Sequence, residues 1–120
     1  MTYVILIAHG SRETLANQEV HDLVRSLADK DQGRHYLAAF LDPVAQPSIP
    51  DTIDTAISAG ATRILVVPYF LNSGKHVQQD IPDIIAAKQS GHPDVEIRLT
   101  EHIGAHPALI ELLQSMIGKE

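Results

Sequence analysis

Two histidines and an aspartate each stand just beyond an apolar run. His9 ends Tyr3-Val-Ile-Leu-Ile-Ala8 and leads into Gly10-Ser11-Arg12, Asp42 ends His35-Tyr-Leu-Ala-Ala-Phe-Leu41, and His76 closes the loop Pro68-Tyr-Phe-Leu-Asn-Ser-Gly-Lys75 that follows Arg63-Ile-Leu-Val-Val67. Imidazole nitrogen and carboxylate oxygen suit Fe²⁺, Co²⁺, Ni²⁺ or Zn²⁺, and three protein ligands leave coordination positions open for another molecule. Histidine as a residue type also titrates near neutrality, so the same groups can serve as ligand and as base. Taken alone, each residue has a plainer reading: a core histidine on a strand, a turn aspartate before Pro43, a histidine that begins a helix. Their convergence favours a site for exchangeable metal.

Convergence requires the three runs to lie side by side. Short apolar runs bounded by glycine and proline turns predict strands buried on both faces. Between them, Leu15, Ala16, Val20, Leu23, Val24 and Leu27 mark an amphipathic helix over residues 13–30. Ser48 caps a second helix with Pro50 in its first turn, running through Ile53, Ala56 and Ile57 to Gly60. A third is predicted from about His76 to Gln89, with Pro82 in its first turns or kinking it. Val95-Glu-Ile-Arg-Leu99 alternates and belongs at a sheet edge. Pro107 to Ile117 closes the chain as a helix, with Leu109, Ile110, Leu112, Leu113 and Met116 expected to face inward.

This βαβαβαβα pattern calls for right-handed crossovers. It predicts one α/β domain over residues 1–120, a four-stranded parallel sheet of order 2-1-3-4 with helices on both faces. Its switch point lies between the first and third strands. With neighbouring strands about 4.8 Å apart, Asp42, His9 and His76 fall in a row along the carboxyl edge.

A chain of 120 residues suffices for one hydrophobic core. It has no cysteine, which leaves soft-metal chemistry to seven histidines and the carboxylates. A net charge of -6 argues against nucleic acid or an anionic membrane as partner. The first apolar run lacks a basic leader and is too short to cross a bilayer, so a soluble, cytoplasmic protein is expected.

The motifs Ala8-His-Gly-Ser-Arg12, Phe40-Leu-Asp42 with Pro47-Ser-Ile49, Pro68-Tyr-Phe-Leu-Asn-Ser-Gly-Lys-His-Val77 with Asp80-Ile-Pro82, and Ile103-Gly-Ala-His-Pro107 run in order through nearly the whole chain. In this the chain resembles the short form of the sirohydrochlorin chelatases, class II enzymes that insert cobalt, iron or nickel into an early tetrapyrrole. The resemblance implies a flavodoxin-like chelatase fold, no nucleotide, and a homodimer in place of two fused halves. It implies that His9 and His76 handle the metal, with cobalt the first expectation, for cobalamin or sirohaem biosynthesis. Where the family commonly has glutamate this chain has Asp42, one methylene shorter, so a water-bridged or proton-accepting role stands beside direct coordination. Sirohydrochlorin is rich in carboxylates, for which Arg12, Lys75 and the backbone N–H groups around Ser11, Ser73 and Gly74 are the local donors. Tyr69, Phe70 and Leu71 offer an apolar face for the ring, or else pack within the protein.

His21, His35 and His92 read as surface residues. His102 and His106 fall on the functional edge, where Gly104-Ala-His106-Pro107 serves equally as the turn that launches the last helix. Two other functions use the same histidines. A phosphoryl-transfer enzyme would use His9 as nucleophile and Arg12 as phosphate holder, but five arginines are few for the several cations such chemistry gathers. A metal-storage or metal-delivery protein would bind the ion without inserting it.

Overall fold

Thr2–Ala8 forms β1, and parallel neighbours lie on both sides of it. The computed structural model describes residues 1–118. After β1 come α1 (Thr14–Asp29), β2 (His35–Phe40), α2 (Ile49–Ser58), β3 (Arg63–Pro68), a π-helical turn (His76–Asp80), α3 (Ile81–Gly91), β4 (Glu96–Leu99), a 3₁₀ turn (Ile103–Ala105) and α4 (Ala108–Ile117). The sheet order is β2-β1-β3-β4, as the hydrophobic pattern predicts, and β4 is an edge. Register aligns Ala8 with Phe40 and Ile7 with Pro68, so β1, β2 and β3 end nearly level.

Alternation of side chains along the strands divides the core into two layers. Ile5, Ile7, Ala39, Ile64, Val66 and Ile97 face α2 and α3, where Ile49, Ile53, Ala56, Ile81 and Ile85 meet them. Leu6, Ala8, Ala38 and Phe40 face α1 through Val20 and Val24. Ser48 caps α2, its Oγ accepting from the Asp51 N–H at 3.2 Å. Pro82 falls in the first turn of α3, directly after the π-helical turn that runs into it. His21 is a correction: it is half-buried, edge-on to Phe40 with ring centroids 5.4 Å apart.

The larger correction is α4. None of its residues is buried, and Ile110, Leu112, Leu113, Met116 and Ile117 are all exposed. The helix forms, but its apolar side does not turn onto this sheet. The radius of gyration is 14.9 Å, against about 13.6 Å for a compact chain of this length, as a projecting helix requires. Chain direction explains the departure. After β4 the Gly104 N–H donates to the Phe70 carbonyl at 3.1 Å, fastening the 3₁₀ turn to the loop beyond β3 before α4 begins. An apolar stripe at helical spacing specifies an amphipathic helix, not the surface it packs against. Among the described residues no helix is long and apolar enough to cross a membrane.

Candidate metal-handling site

The carboxyl edge of the sheet is assembled by backbone bonds that continue past the strands. Leu41 N–H donates to the Ala8 carbonyl at 3.0 Å, Asp42 N–H to the His9 carbonyl at 2.7 Å, and Tyr69 N–H to the Ile7 carbonyl at 2.7 Å. These bonds hold the loops after β1, β2 and β3 together. Gly10 completes the turn at φ +89°, and a Cβ on it would lie 2.9 Å from that of Ala45 and 3.1 Å from that of Phe40. Only glycine satisfies both the left-handed backbone and the close approach.

His9 and His76 meet across this edge, with ring centroids 5.6 Å apart and planes inclined by 68°. Both rings are exposed. Nδ1 of His9 lies 3.0 Å from the Gly10 carbonyl, which can only accept, so this nitrogen carries the proton. Nδ1 of His76 lies 2.8 Å from Oδ2 of Asp80. A carboxylate likewise accepts, so in the neutral form of each ring Nε2 is the lone-pair nitrogen. The two histidines thus present the same ligand atom.

Asp42 stands beside His9 in the chain path, and its Oδ1 accepts from the Val44 N–H at 2.9 Å. The second carboxylate oxygen keeps capacity for a proton or a metal-bound water. Among the described residues no three His, Asp or Glu side chains converge as a preformed metal cage. The site therefore consists of two imidazoles, with Asp42 at its margin.

The other residues divide by what they already hold. The Ser11 N–H is committed to Asn17 Oδ1 at 2.9 Å, and Asn17 Nδ2 returns to the Ser11 carbonyl at 2.7 Å. Ser11 Oγ accepts from the Glu13 N–H at 3.0 Å, so its hydroxyl proton, not its amide, is the group left to donate. Asn17 was not legible beforehand; the signal was a polar residue six places on, in the first turn of a helix. Arg12 and Lys75 are exposed and form no ion pair among the described residues. Ser73 and Gly74 lie on the same exposed loop, and the Gly74 carbonyl accepts from the Gln78 N–H at 2.8 Å to open the π-helical turn. Tyr69 and Leu71 are exposed, while Phe70 is half-buried against the core. His106 is spent elsewhere, its Nδ1 accepting from the Ala108 N–H at 3.0 Å as α4 starts.

Arranged in this way, the edge offers two nitrogen ligands, open solvent access, cations on both flanking loops and an apolar loop beside them. The CbiX family model matches residues 3–120. A sirohydrochlorin cobaltochelatase of Methanothermobacter thermautotrophicus is 30% identical, over 95% of this chain and 89% of its own. A sirohydrochlorin ferrochelatase of Priestia megaterium is 31% identical over 99% of this chain but only 44% of its own length. The chain likewise spans half, 50%, of the chloroplastic sirohydrochlorin ferrochelatase of Arabidopsis thaliana. Among solved structures, a CbiX protein of Marinobacter aquaeolei superposes with a TM-score of 0.83 at 28% identity, covering 98% of this chain and 94% of that one. The chelatase SirB of Bacillus subtilis, in complex with cobalt, gives 0.83 at 26% identity over 97% of this chain and 49% of its own. The sequence motifs, the parallel sheet and these matches agree that the chain belongs to the CbiX family of sirohydrochlorin chelatases.

Proposed function

We propose that this protein inserts a divalent metal into sirohydrochlorin, with Co²⁺ the first candidate and Fe²⁺ or Ni²⁺ the others, serving cobalamin or sirohaem formation. The observation that carries this reading is the His9 and His76 pair, 5.6 Å apart with both Nδ1 atoms engaged. Insertion needs a route for the ion and a base for two pyrrole N–H protons. One imidazole can hold the incoming metal through Nε2 while the other takes a proton, and Asp42 passes protons on to solvent. No step requires a nucleotide. Arg12, Lys75 and the hydroxyls of Ser11 and Ser73 meet the substrate carboxylates, and Tyr69 with Leu71 meets the ring.

The edge of one subunit covers only one face of a flat macrocycle, whereas small-molecule sites usually bury about 70–90% of their ligand. We therefore also propose a two-fold homodimer, in which a second copy supplies the other wall. The exposed apolar residues of α4 and the groove lined by Leu23, Tyr69, Leu71, Ile103 and Leu109 support this.

The deciding experiment follows Co²⁺ insertion by the absorbance of the metallated tetrapyrrole, with wild-type protein and with His9→Ala and His76→Ala. Turnover by wild type and its loss in both variants is expected. Stoichiometric Co²⁺ binding without accelerated insertion would instead make the protein a metal carrier. Hydrolysis of a generic phosphate ester without metal would revive the phosphoryl-transfer reading.

A further inference from the structure

Asp80 has entered so far only as the partner of His76 Nδ1. It closes the π-helical turn that His76 opens, and its side chain makes one hydrogen bond among the described residues, the 2.8 Å contact of Oδ2 with His76 Nδ1. It caps no helix, since no side-chain cap bond forms at the start of α3. The two residues occupy unequal surroundings. Every residue from Leu71 to His76 is exposed, whereas Ile81, directly after Asp80, is fully buried in the larger core layer. Asp80 thus stands at the anchored end of the turn and His76 at its free end.

We infer that Asp80 is a positioning residue for His76, fixing its Nδ1–H tautomer and ring orientation so that Nε2 is held ready beside His9. The inference rests on the reading of His76 as a metal-handling histidine. An unattached neutral imidazole exchanges its proton between the two nitrogens, and each visit to the Nε2–H form removes the lone pair the metal needs. A carboxylate on Nδ1 suppresses that form and makes Nε2 the better donor. His9 obtains the same result from its neighbouring carbonyl, a backbone acceptor that no side-chain substitution removes. His76 lies on an exposed loop without such a carbonyl partner, so its dependence falls on Asp80. A π-helical turn is uncommon and concentrates at functional sites; this one begins at His76 and ends at Asp80.

The test separates positioning from a surface ion pair that merely steadies the turn. Long-range ¹H–¹⁵N correlation on metal-free, uniformly labelled protein, about two pH units above the ordinary histidine value, reads the tautomer of His76 directly. Wild type is expected as the Nδ1–H form, Asp80→Ala as a mixture or the Nε2–H form, and Asp80→Asn, which retains an acceptor oxygen, close to wild type. Titration with Co²⁺ alone is expected to weaken about 10- to 100-fold in Asp80→Ala and less in Asp80→Asn. An unchanged tautomer in Asp80→Ala would overturn the inference, as would unchanged Co²⁺ affinity. The tautomer measurement involves neither metal nor tetrapyrrole, so its failure is distinct from that of the chelatase reading, which falls if His76→Ala inserts Co²⁺ at the wild-type rate.

Discussion

His9 and His76 owe their availability to what their other ring nitrogens hold, and neither ring is part of the core. Replacing either by alanine removes a proposed ligand without opening a cavity. Both variants are therefore expected to melt within about 0.5 kcal/mol of wild type and to lose most insertion activity, at least tenfold, which thermal unfolding and steady-state assays measure separately. Asp42 has a different expectation, because one of its oxygens already closes a turn onto Val44. Asp42→Ala should lower both stability and turnover, while Asp42→Glu, which reaches one methylene further, should preserve or improve turnover at some cost to the turn. A silent Asp42→Ala would reduce this residue to a turn former. Gly10 is the structural counterpart at this scale. Gly10→Ala must place a Cβ at φ +89° and 2.9 Å from Ala45, and is predicted to cost about 2–4 kcal/mol in chemical unfolding.

Among the elements, those whose order depends on local pattern were legible in the sequence. Three apolar runs, one alternating run and the helical spacings between them specified the sheet order, and the motifs at the strand ends marked the edge that gathers His9 and His76. What stayed hidden lay in contacts between distant segments. Gly104 reads as a turn former, yet the structure requires glycine there for another reason: a Cβ would lie 1.5 Å from the Leu71 carbonyl oxygen. The site loop and the turn before α4 are thus in backbone contact. Gly104→Ala is expected to displace the Tyr69 to His76 loop, costing about 3 kcal/mol of stability and reducing insertion although no ligand is altered. Full activity with an unchanged unfolding midpoint would remove this coupling. The Asn17 clamp on Ser11 was hidden for the same reason, since hydrogen bonding across a turn leaves no periodic trace.

The whole molecule separates its functions along the strand direction. At the amino end, Asp31 accepts from Tyr36 Oη and from Arg34 Nε, both at 2.6 Å. The Tyr36 hydroxyl first, then the Arg34 guanidinium, holds the Asp31 carboxyl below its ordinary 3.8. A depressed folded value means that this carboxylate adds stability above the unfolded value, and the contribution is lost as pH falls through the folded one. Tyr36 is raised by the same bond, so its contribution is present below its ordinary 10.0 and is lost as pH rises through the folded value. Thermal midpoints across pH 2–7 should therefore fall more steeply on the acid side, below about 4, in wild type than in Asp31→Asn. Parallel profiles would show that the cluster adds nothing. The histidine edge lies at the opposite end of the sheet, so this substitution should leave insertion at neutral pH unchanged.

Assembly is the remaining property at this scale, and α4 carries the argument. Ile110, Leu113, Met116 and Ile117 are 65%, 47%, 74% and 61% exposed. Burying a large apolar side chain completely is worth about 1.5–3 kcal/mol; at these exposures, four residues from each of two subunits yield on the order of 10 kcal/mol. Association costs roughly 4–15 kcal/mol, so α4 alone predicts a dimer of modest affinity, which a tetrapyrrole held between two edges would tighten. Light scattering at micromolar concentrations is expected to find a monomer–dimer equilibrium that sirohydrochlorin shifts toward the dimer. Leu113→Glu and Met116→Glu place charges on the proposed contact, and should yield folded monomers that bind Co²⁺ through His9 and His76 but insert it at least tenfold more slowly. Wild-type protein that is monomeric at every concentration and still turns over would show that one edge suffices. The apolar face of α4 would then need another partner.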